Sequence, residues 1–357
     1  MRAEDDSHEA TSGTSTAGRT GGVVTIAVLC AVAGFGLLFF YSDGVKLVEA
    51  AASISWLKFT VPVAATLFSY VLMALSYDGI AAAAGTPLGL GPMLRITYVS
   101  NTVNYLVATG GLSGFAVRMY FFRQHGIPMG RAVTISFVQG LLTNLALLVF
   151  LVMGFYFLVR HEALGATALA AAAVLLGIFV LIMGLCLVLL VRAKARRRVL
   201  LWTGDIGHRL GKRFLPAHRA PRRTNVWRLM HNVDDGFQFI VANWRRMLGP
   251  TVYILLDWVA TLGVLWGCFW CVDLLVAPAL ITVGFSVAIL SSMVSLAPGG
   301  LGIMESLTTA LFATLGTPLA PTVIALILFR LSYYALPFAI SIVFFRGMLR
   351  DAREHSH

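Results

Sequence analysis

Long apolar stretches alternate with short polar ones along most of this 357-residue chain. Many of these stretches have few or no charged residues and are long enough to cross roughly 30 Å of hydrocarbon as helices. They occupy residues 23–41, 59–77, 132–158, 163–191, 248–272, 274–329 and 331–345. Because helices satisfy all of their backbone polar groups within lipid, the pattern predicts an all-α polytopic membrane protein with about eight hydrophobic segments.

Glycine pairs interrupt two of the apolar segments. The breaks lie within 94–117, at Gly110 and Gly111, and within 279–316, at Pro298, Gly299 and Gly300. Non-helical backbone at membrane depth is tolerated only where protein or water satisfies it. If the basic loops lie inside, both segments must enter and leave the membrane on the same side, so we expect two re-entrant or interrupted helices.

The two interrupted segments resemble each other in sequence. A Gly-x-Pro step follows each of them, at Gly126-Ile-Pro128 and at Gly316-Thr-Pro318. Each also has one uninterrupted span before it and one after it, in opposite orientations. This arrangement predicts an inverted-topology repeat with halves at 59–158 and 249–345. The alternative is coincidence between two glycine-rich membrane segments.

Basic residues are concentrated in one segment. The chain has 27 Lys and Arg against 16 Asp and Glu, a formal net charge of +11, although charged residues make up only 12% of it. Most of the bases lie in 192–248, and cytoplasmic loops of membrane proteins are rich in Lys and Arg. We therefore expect 192–248, the tail 346–357 and both termini to be cytoplasmic. Residues 1–22 are polar and small and predict a disordered N-terminal tail.

Part of the basic segment has helical periodicity. Apolar residues recur there at spacings of three and four, at Val226, Leu229, Val233, Phe237, Ile240 and Trp244. This spacing predicts an amphipathic helix. Its apolar face either lies on the inner membrane surface or packs on the protein itself, and the sequence leaves both alternatives open.

The sequence offers little for catalysis. Its four cysteines, Cys30, Cys186, Cys268 and Cys271, all lie in apolar runs, and no second Cys or His pair accompanies the Cys-x-x-Cys spacing. It contains no hydrolase elbow, Walker loop or His-Glu-x-x-His zinc motif. We therefore expect no catalytic residues, metal site or cofactor, and no nucleic-acid partner.

A few charges within the apolar segments are the candidate functional residues. They are Arg118, Asp257 (near the cytoplasmic end of its span), Glu305 and Arg330. Such charges are costly in a bilayer and are usually paired or functional. Arginine suits a phosphate because its planar fork makes two hydrogen bonds, and Glu305 suits a headgroup amine or a coupling proton. A structural ion pair between Glu305 and Arg330 is the alternative, and we favour a structural role for Asp257.

Two passages of the second half carry a family resemblance. Pro298-Gly-Gly-Leu-Gly-Ile-Met-Glu305 and Leu328-Phe-Arg330-Leu-Ser-Tyr333-Tyr334-Ala-Leu-Pro337 resemble the signature of the lysylphosphatidylglycerol synthase transmembrane family. The passage from Gly110 to Tyr120 resembles its first-half motif, although Phe115 stands where many relatives carry an acid. The resemblance extends to the flippase domains of the multiple peptide resistance factors. No synthase domain follows Phe345, so we expect no aminoacyl transfer.

The resemblance implies a flippase-like transporter in residues 23–345, in the inner or plasma membrane of a bacterial-type cell. Its expected partner is a membrane phospholipid, either anionic or aminoacylated, and a separate lipid-modifying enzyme is a further possible partner. The alternatives are the membrane component of a lipid aminoacyl transferase system and a small-solute transporter. The expected substrate-binding residues are Arg118, Glu305, Arg330, Tyr333, Tyr334, Gly110, Gly111, Pro298, Gly299 and Gly300, with Asn101 and Asp257 as further candidates.

Overall fold

Helices account for every regular element in the described part of the chain. A computed structural model describes residues 48–49, 51–106, 112–160, 165–214, 223–294 and 303–354. The predicted segment 23–41, the tail 1–22 and both glycine breaks lie outside these residues. The first half forms α1 (Thr60–Ala83), α2 (Leu90–Leu106), α3 (Leu112–Gln124) and α4 (Met129–Arg160).

The middle of the chain adds one helix that is long enough to span a membrane and two helices of the basic segment that pack against each other. It forms α5 (Ala166–Val191), α6 (Ala193–Phe214), α7 (Arg223–Ala242) and a 3-10 turn (Trp244–Met247). The second half follows as α8 (Leu248–Cys271), α9 (Pro278–Val294), α10 (Ile303–Thr314), α11 (Leu319–Arg330), a π turn (Leu331–Ala335) and α12 (Leu336–Glu354). Helix α12 extends into the region expected to be the C-terminal tail, as far as Glu354.

Five helices of the described residues are long and apolar enough to cross a membrane. They are Thr60–Ala83, Met129–Arg160, Leu169–Val191, Trp244–Cys271 and Leu319–Gly347. These helices overlap the predicted segments 59–77, 132–158, 163–191 and 248–272 and the last span. The prediction of an all-α integral membrane protein is therefore confirmed. Helices α2, α3, α9 and α10 are shorter and lie on either side of the two glycine breaks.

Helices α1 and α8 pack against each other along their length. Proline in the first turn of each helix meets a glycine near the end of the other, which makes the pair antiparallel. A Cβ at Gly79 would lie 2.8 Å from Cγ of Pro250, and a Cβ at Gly267 would lie 3.1 Å from Cδ of Pro62. The two helices therefore approach this closely only because glycine has no side chain.

The other long helices also pack across the two halves. Helix α2 packs on α12, where the rings of Tyr98 and Phe344 meet edge to face at 5.4 Å. Helix α9 packs on α4, where the Ser286 hydroxyl lies 3.4 Å from the Phe150 carbonyl. Each half thus contributes a short helix that contacts a long helix of the other half.

One helix-ending turn occurs at matching places in the two halves. Gly126 after α3 has a φ of 74°, and Gly316 after α10 has a φ of 85°. In both turns the next amide donates to the carbonyl five residues earlier at 2.9 Å. Glycine favours this left-handed conformation at a helix end, and the prolines Pro128 and Pro318 then precede the next helix.

The amphipathic helix α7 packs on the protein. Val233, Phe237 and Ile240 are buried, and the Thr134 hydroxyl of α4 lies 3.3 Å from the Val233 carbonyl. Of the two alternatives for the apolar face, packing on the protein therefore holds for these residues. Trp244 lies beyond the end of α7 and is exposed, so the buried face ends before it.

Candidate functional site

Two charged side chains of the second half form a buried ion pair. The Arg330 Nε–H donates to the Glu305 carboxylate, and only 3% of Glu305 and 9% of Arg330 is exposed. Glu305 lies in the first turn of α10 and Arg330 is the last residue of α11. The helix dipole favours an anion in the first turn of α10. Since both charges are buried, removing either one would leave the other uncompensated.

An aromatic ring covers the Arg330 guanidinium. Its Cζ lies 4.2 Å from the centre of the Tyr334 ring, a cation–π contact, and its Nη2 lies 3.4 Å from Met304 Sδ. The Tyr334 ring lies 4.8 Å from the ring of Tyr105 on α2. Both residues of the ion pair therefore lie in the second half. The first half reaches the pair through the contact of Tyr105 with the Tyr334 ring that covers Arg330.

The backbone directly after Arg330 forms a π turn over Leu331–Ala335. Pro337 explains its position, because proline has no N–H to donate to the Tyr333 carbonyl four residues earlier. A π turn inserts one extra residue into the helix and is frequent at functional sites. Tyr333 and Tyr334 contact different polar clusters, although residues three and four positions after Arg330 would share its face in an ordinary α-helix.

The second polar cluster surrounds Asp257. The Ser69 hydroxyl of α1 donates to the Asp257 carboxylate at 2.5 Å, and the Thr261 hydroxyl lies 3.4 Å from the Tyr333 hydroxyl. The hydroxyls of Ser69 and Thr261 are also 3.4 Å apart. Asp257 is buried and lies near the middle of α8, not near its cytoplasmic end as expected.

Stacked tyrosines extend the Asp257 cluster toward α2. The Tyr70 ring stacks on the Tyr98 ring at 4.2 Å and lies 6.3 Å from the Tyr333 ring. Its hydroxyl is buried and has no hydrogen-bond partner among the described residues. A buried hydroxyl of this kind marks a place where a further polar group is needed.

Arg118 lies in a third environment, on α3. Its Nη1 is 3.3 Å from the Ser100 hydroxyl of α2, and its Cζ lies 5.4 Å from the centre of the Tyr77 ring of α1. Within the described residues its Nε and the nearby Asn104 Oδ1 are buried without a hydrogen-bond partner. An arginine with an unsatisfied N–H is suited to an anion.

A charge network joins α6 to α7 in the basic segment. Asp234 accepts from Arg196 Nε at 2.6 Å, from Arg197 Nε at 2.7 Å and from Gln238 Nε2 at 2.8 Å. Burial alone would raise the pKa of the Asp234 carboxyl, but the hydrogen bonds from Arg197, Arg196 and Gln238 outweigh burial and hold that pKa below its usual value. This network fixes the two helices against each other.

The sequence of residues 23–341 matches the family described as the lysylphosphatidylglycerol synthase transmembrane region. The chain belongs to this family. Membership confirms the resemblance carried by the motifs around Glu305 and Arg330, and it identifies the buried ion pair as part of the family's membrane region.

Curated relatives of the chain share a name. A phosphatidylglycerol lysyltransferase of Staphylococcus aureus strain MRSA252 is 23% identical over 72% of this chain, and that of strain COL is 25% identical over 72%. In both cases the matched part is 25% of the relative's length. The chain thus spans about a quarter of the length of the curated relatives that it matches.

The structure brings together some of the residues predicted for the site. Glu305, Arg330 and Tyr334 form one cluster, and Tyr333 and Asp257 belong to the neighbouring one. Arg118 has its contacts on α1 and α2, and the Asn101 amide donates to Met73 Sδ at 2.7 Å. The predicted residues Gly110, Gly111, Pro298, Gly299 and Gly300 lie outside the described residues. Within the described part of the chain, no group of three His, Cys, Asp or Glu side chains is placed to hold a metal ion.

The residues of α1 and α2 that contact the candidate site were not predicted from the sequence. Ser69 and Tyr70 lie in an apolar run, and Tyr105 precedes the first glycine break. The polar residues Thr66, Ser69 and Tyr70 recur at spacings of three and four, which places them on one face of α1. That spacing was a usable signal, whereas the pairing of Tyr105 with Tyr334 depends on packing between the halves.

Proposed function

We propose that the chain moves a phospholipid between the leaflets of a bacterial cell membrane, with aminoacylated phosphatidylglycerol as the candidate lipid. The buried Glu305–Arg330 pair is the observation that carries this proposal. Charges inside apolar helices are costly, and they are found where a charged substrate passes. The relatives named for lysyl transfer to phosphatidylglycerol support a lipid of this class.

The pair suits the two charges of an aminoacylated headgroup. The Arg330 fork can donate two hydrogen bonds to the phosphate, while the Glu305 carboxylate accepts from the ammonium group. The opposite charges of the headgroup would then replace the internal pair. Each protein charge keeps a counter-charge throughout, which avoids the cost of an isolated buried ion.

We further infer that residues 59–158 and 249–345 form an inverted repeat around this site, with α2–α3 and α9–α10 as its interrupted helices. Three observations support the repeat. They are the reciprocal proline–glycine contacts between α1 and α8, the matching glycine turns after α3 and α10, and the packing of α2 on α12 and of α9 on α4. Inverted repeats commonly place the substrate site between their halves.

A role within a lipid aminoacyl transferase system is the second candidate, because the relatives carry that name. In this case the chain would bind phosphatidylglycerol and present it to a lipid-modifying enzyme. Purified chain added to such an enzyme would then raise lysyl transfer without moving lipid by itself.

Transport by the purified chain tests the proposal. Vesicles of phosphatidylcholine and phosphatidylglycerol would contain fluorescent lysylphosphatidylglycerol in the inner leaflet, and appearance of the label outside would be followed with an impermeant quencher. We expect outward movement well above that of protein-free vesicles. Movement no faster than in protein-free vesicles would reject lipid transport and leave the role in aminoacyl transfer.

A further inference from the structure

The side chains around Asp257 have the features of a binding site for a ligand much smaller than a lipid. Asp257 is buried in the middle of α8, and its carboxylate accepts a hydrogen bond from Ser69. Within the described part of the chain it has no ion-pair partner, in contrast to Glu305. A buried carboxylate with hydroxyl neighbours alone is costly to keep charged, and proton binding removes that cost.

Among the described residues, no basic side chain contacts Asp257 from the helices that pack against α8. Helix α1 presents Ser69 and Tyr70, and the π turn presents Tyr333. Helix α9 carries no titratable residue, and those of α4 lie near its two ends. The Arg330 side chain at the end of α11 is paired with Glu305. The remaining titratable or charged groups of these elements, of α8 itself and of α2 are Tyr77, Asp78, Arg95, Tyr98, Tyr105, Arg131, Tyr156, Arg160, Arg245, Arg246, Tyr253, Cys268, Cys271 and Tyr334.

The cluster is linked to the Glu305–Arg330 site through the π turn. The Thr261 hydroxyl lies 3.4 Å from that of Tyr333, and the Tyr333 ring lies 5.7 Å from the ring of Tyr334, which covers Arg330. A charged Asp257 requires Ser69 to donate to it, whereas a protonated Asp257 becomes a donor itself. Protonation therefore adds a hydrogen-bond donor next to the turn that holds Tyr334.

We propose that Asp257 is a proton-binding site and that proton movement is coupled to lipid movement at the Glu305–Arg330 pair. The step is the binding of one proton by the Asp257 carboxylate from one side of the membrane and its release to the other side. This inference rests on the proposed transport function for its coupling, although the proton site itself does not. Glu305 is less suited to the task, because it already forms an ion pair with Arg330.

Two measurements on the full chain test this inference. In the first, the lysylphosphatidylglycerol assay is repeated with an imposed pH gradient of either direction. One pH unit supports at most about tenfold asymmetry per coupled proton. We expect the wild-type rate to change severalfold and to respond oppositely to the opposite gradient, and Asp257→Asn to lose this response. Asp273→Asn is the matched control, since Asp273 is exposed and Asn tolerates its φ of 55°.

The second measurement is infrared difference spectroscopy during acidification, which needs no transport. We expect one protonated-carboxyl band, distinct from the absorption of the other carboxyl groups, in wild type and Asp273→Asn that is absent in Asp257→Asn. If Asp257→Asn does not fold, Ser69→Ala replaces it, and we expect it to change the pH at which the band appears. The inference is overturned if the band persists in Asp257→Asn, if Ser69→Ala leaves it unchanged, or if wild-type transport ignores the gradient. A proton band without lipid movement would instead reject the proposed transport and the coupling, and keep only the proton site.

Discussion

The side chains of Glu305 and Arg330 depend on each other, and unfolding measurements can show this dependence. Glu305→Ala leaves a buried guanidinium without its counter-charge, which costs about 3–5 kcal/mol in buried pairs. The double variant Glu305→Ala with Arg330→Met removes both charges, so we expect it to be more stable than Glu305→Ala alone. Thermal unfolding in detergent measures the difference. A double variant no more stable than Glu305→Ala would show that the pair does not act as a unit.

Asp234 provides a pH-dependent contact between α6 and α7. Its pKa is lower in the folded state, so its stabilisation is fully present above the unfolded value of about 3.9 and is lost as pH falls through the lower folded value. The protection factors of the α7 amides, which compare hydrogen exchange with its intrinsic rate at the same pH, should therefore fall on acidification in wild type. We expect Asp234→Asn to lose this dependence and to exchange faster at neutral pH, because Arg196 is then buried without its counter-charge.

The neighbouring residue supplies the control for this prediction. Asp235 is exposed, and His231 Nε2 lies 3.7 Å from its carboxylate. Asp235→Asn should retain the acid dependence of the wild type. If Asp234→Asn and wild type showed the same loss of protection in acid, the Asp234 network would not be its cause.

At the scale of helices, the α1–α8 contact depends on two glycines. A Cβ at Gly79 would lie 2.8 Å from Pro250, whose ring cannot move away as a flexible side chain can. We expect Gly79→Ala to lower the free energy of unfolding by about 1–3 kcal/mol, as overpacking of a core does. The control is Gly263→Ala on α8, where no atom lies within 4 Å of the added Cβ. Equal stability of the two variants would show that the helices are not closely packed at Gly79.

The apolar pattern predicted the long helices, because the length and apolar composition of a segment are enough to identify a membrane-spanning helix. It also predicted α7, since residues such as Val233 and Phe237 recur at helical spacing. The π turn at Leu331–Ala335 was not predicted, because periodicity alone does not register one extra residue in a helix. Pro337 was the available signal, since proline inside an apolar helix removes a hydrogen bond.

The charged residues were found from the sequence for a similar reason, since a charge stands out within an apolar run. Their partners were found only in part. The pairing of Glu305 with Arg330 was one of the alternatives considered, whereas the contact of Tyr105 with Tyr334 joins residues far apart in sequence. Contacts of this kind arise from packing of the two halves, which one sequence does not specify.

At the scale of the whole molecule, the basic segment sets the proposed orientation. We expect α6 and α7 to face the cytoplasm, and the end of α8 to face outward. In a chain freed of its native cysteines, Leu275→Cys should react with an impermeant thiol reagent outside sealed cells, and Trp202→Cys should not. Both positions are well exposed, at 75% and 65%. Labelling of Trp202→Cys from outside would reverse the orientation.

Transport by variants of the ion pair tests the central claim most directly. Wild type, Arg330→Lys and Glu305→Gln would be reconstituted at equal amounts of folded protein and compared for movement of fluorescent lysylphosphatidylglycerol. Lysine keeps the charge of Arg330 but lacks the planar fork for a phosphate, and glutamine keeps the shape of Glu305 but not its charge. The account predicts a loss of about tenfold or more in rate for both variants, since each buried charge-assisted hydrogen bond is worth about 1.5–3 kcal/mol. Movement at the wild-type rate by both folded variants would contradict it.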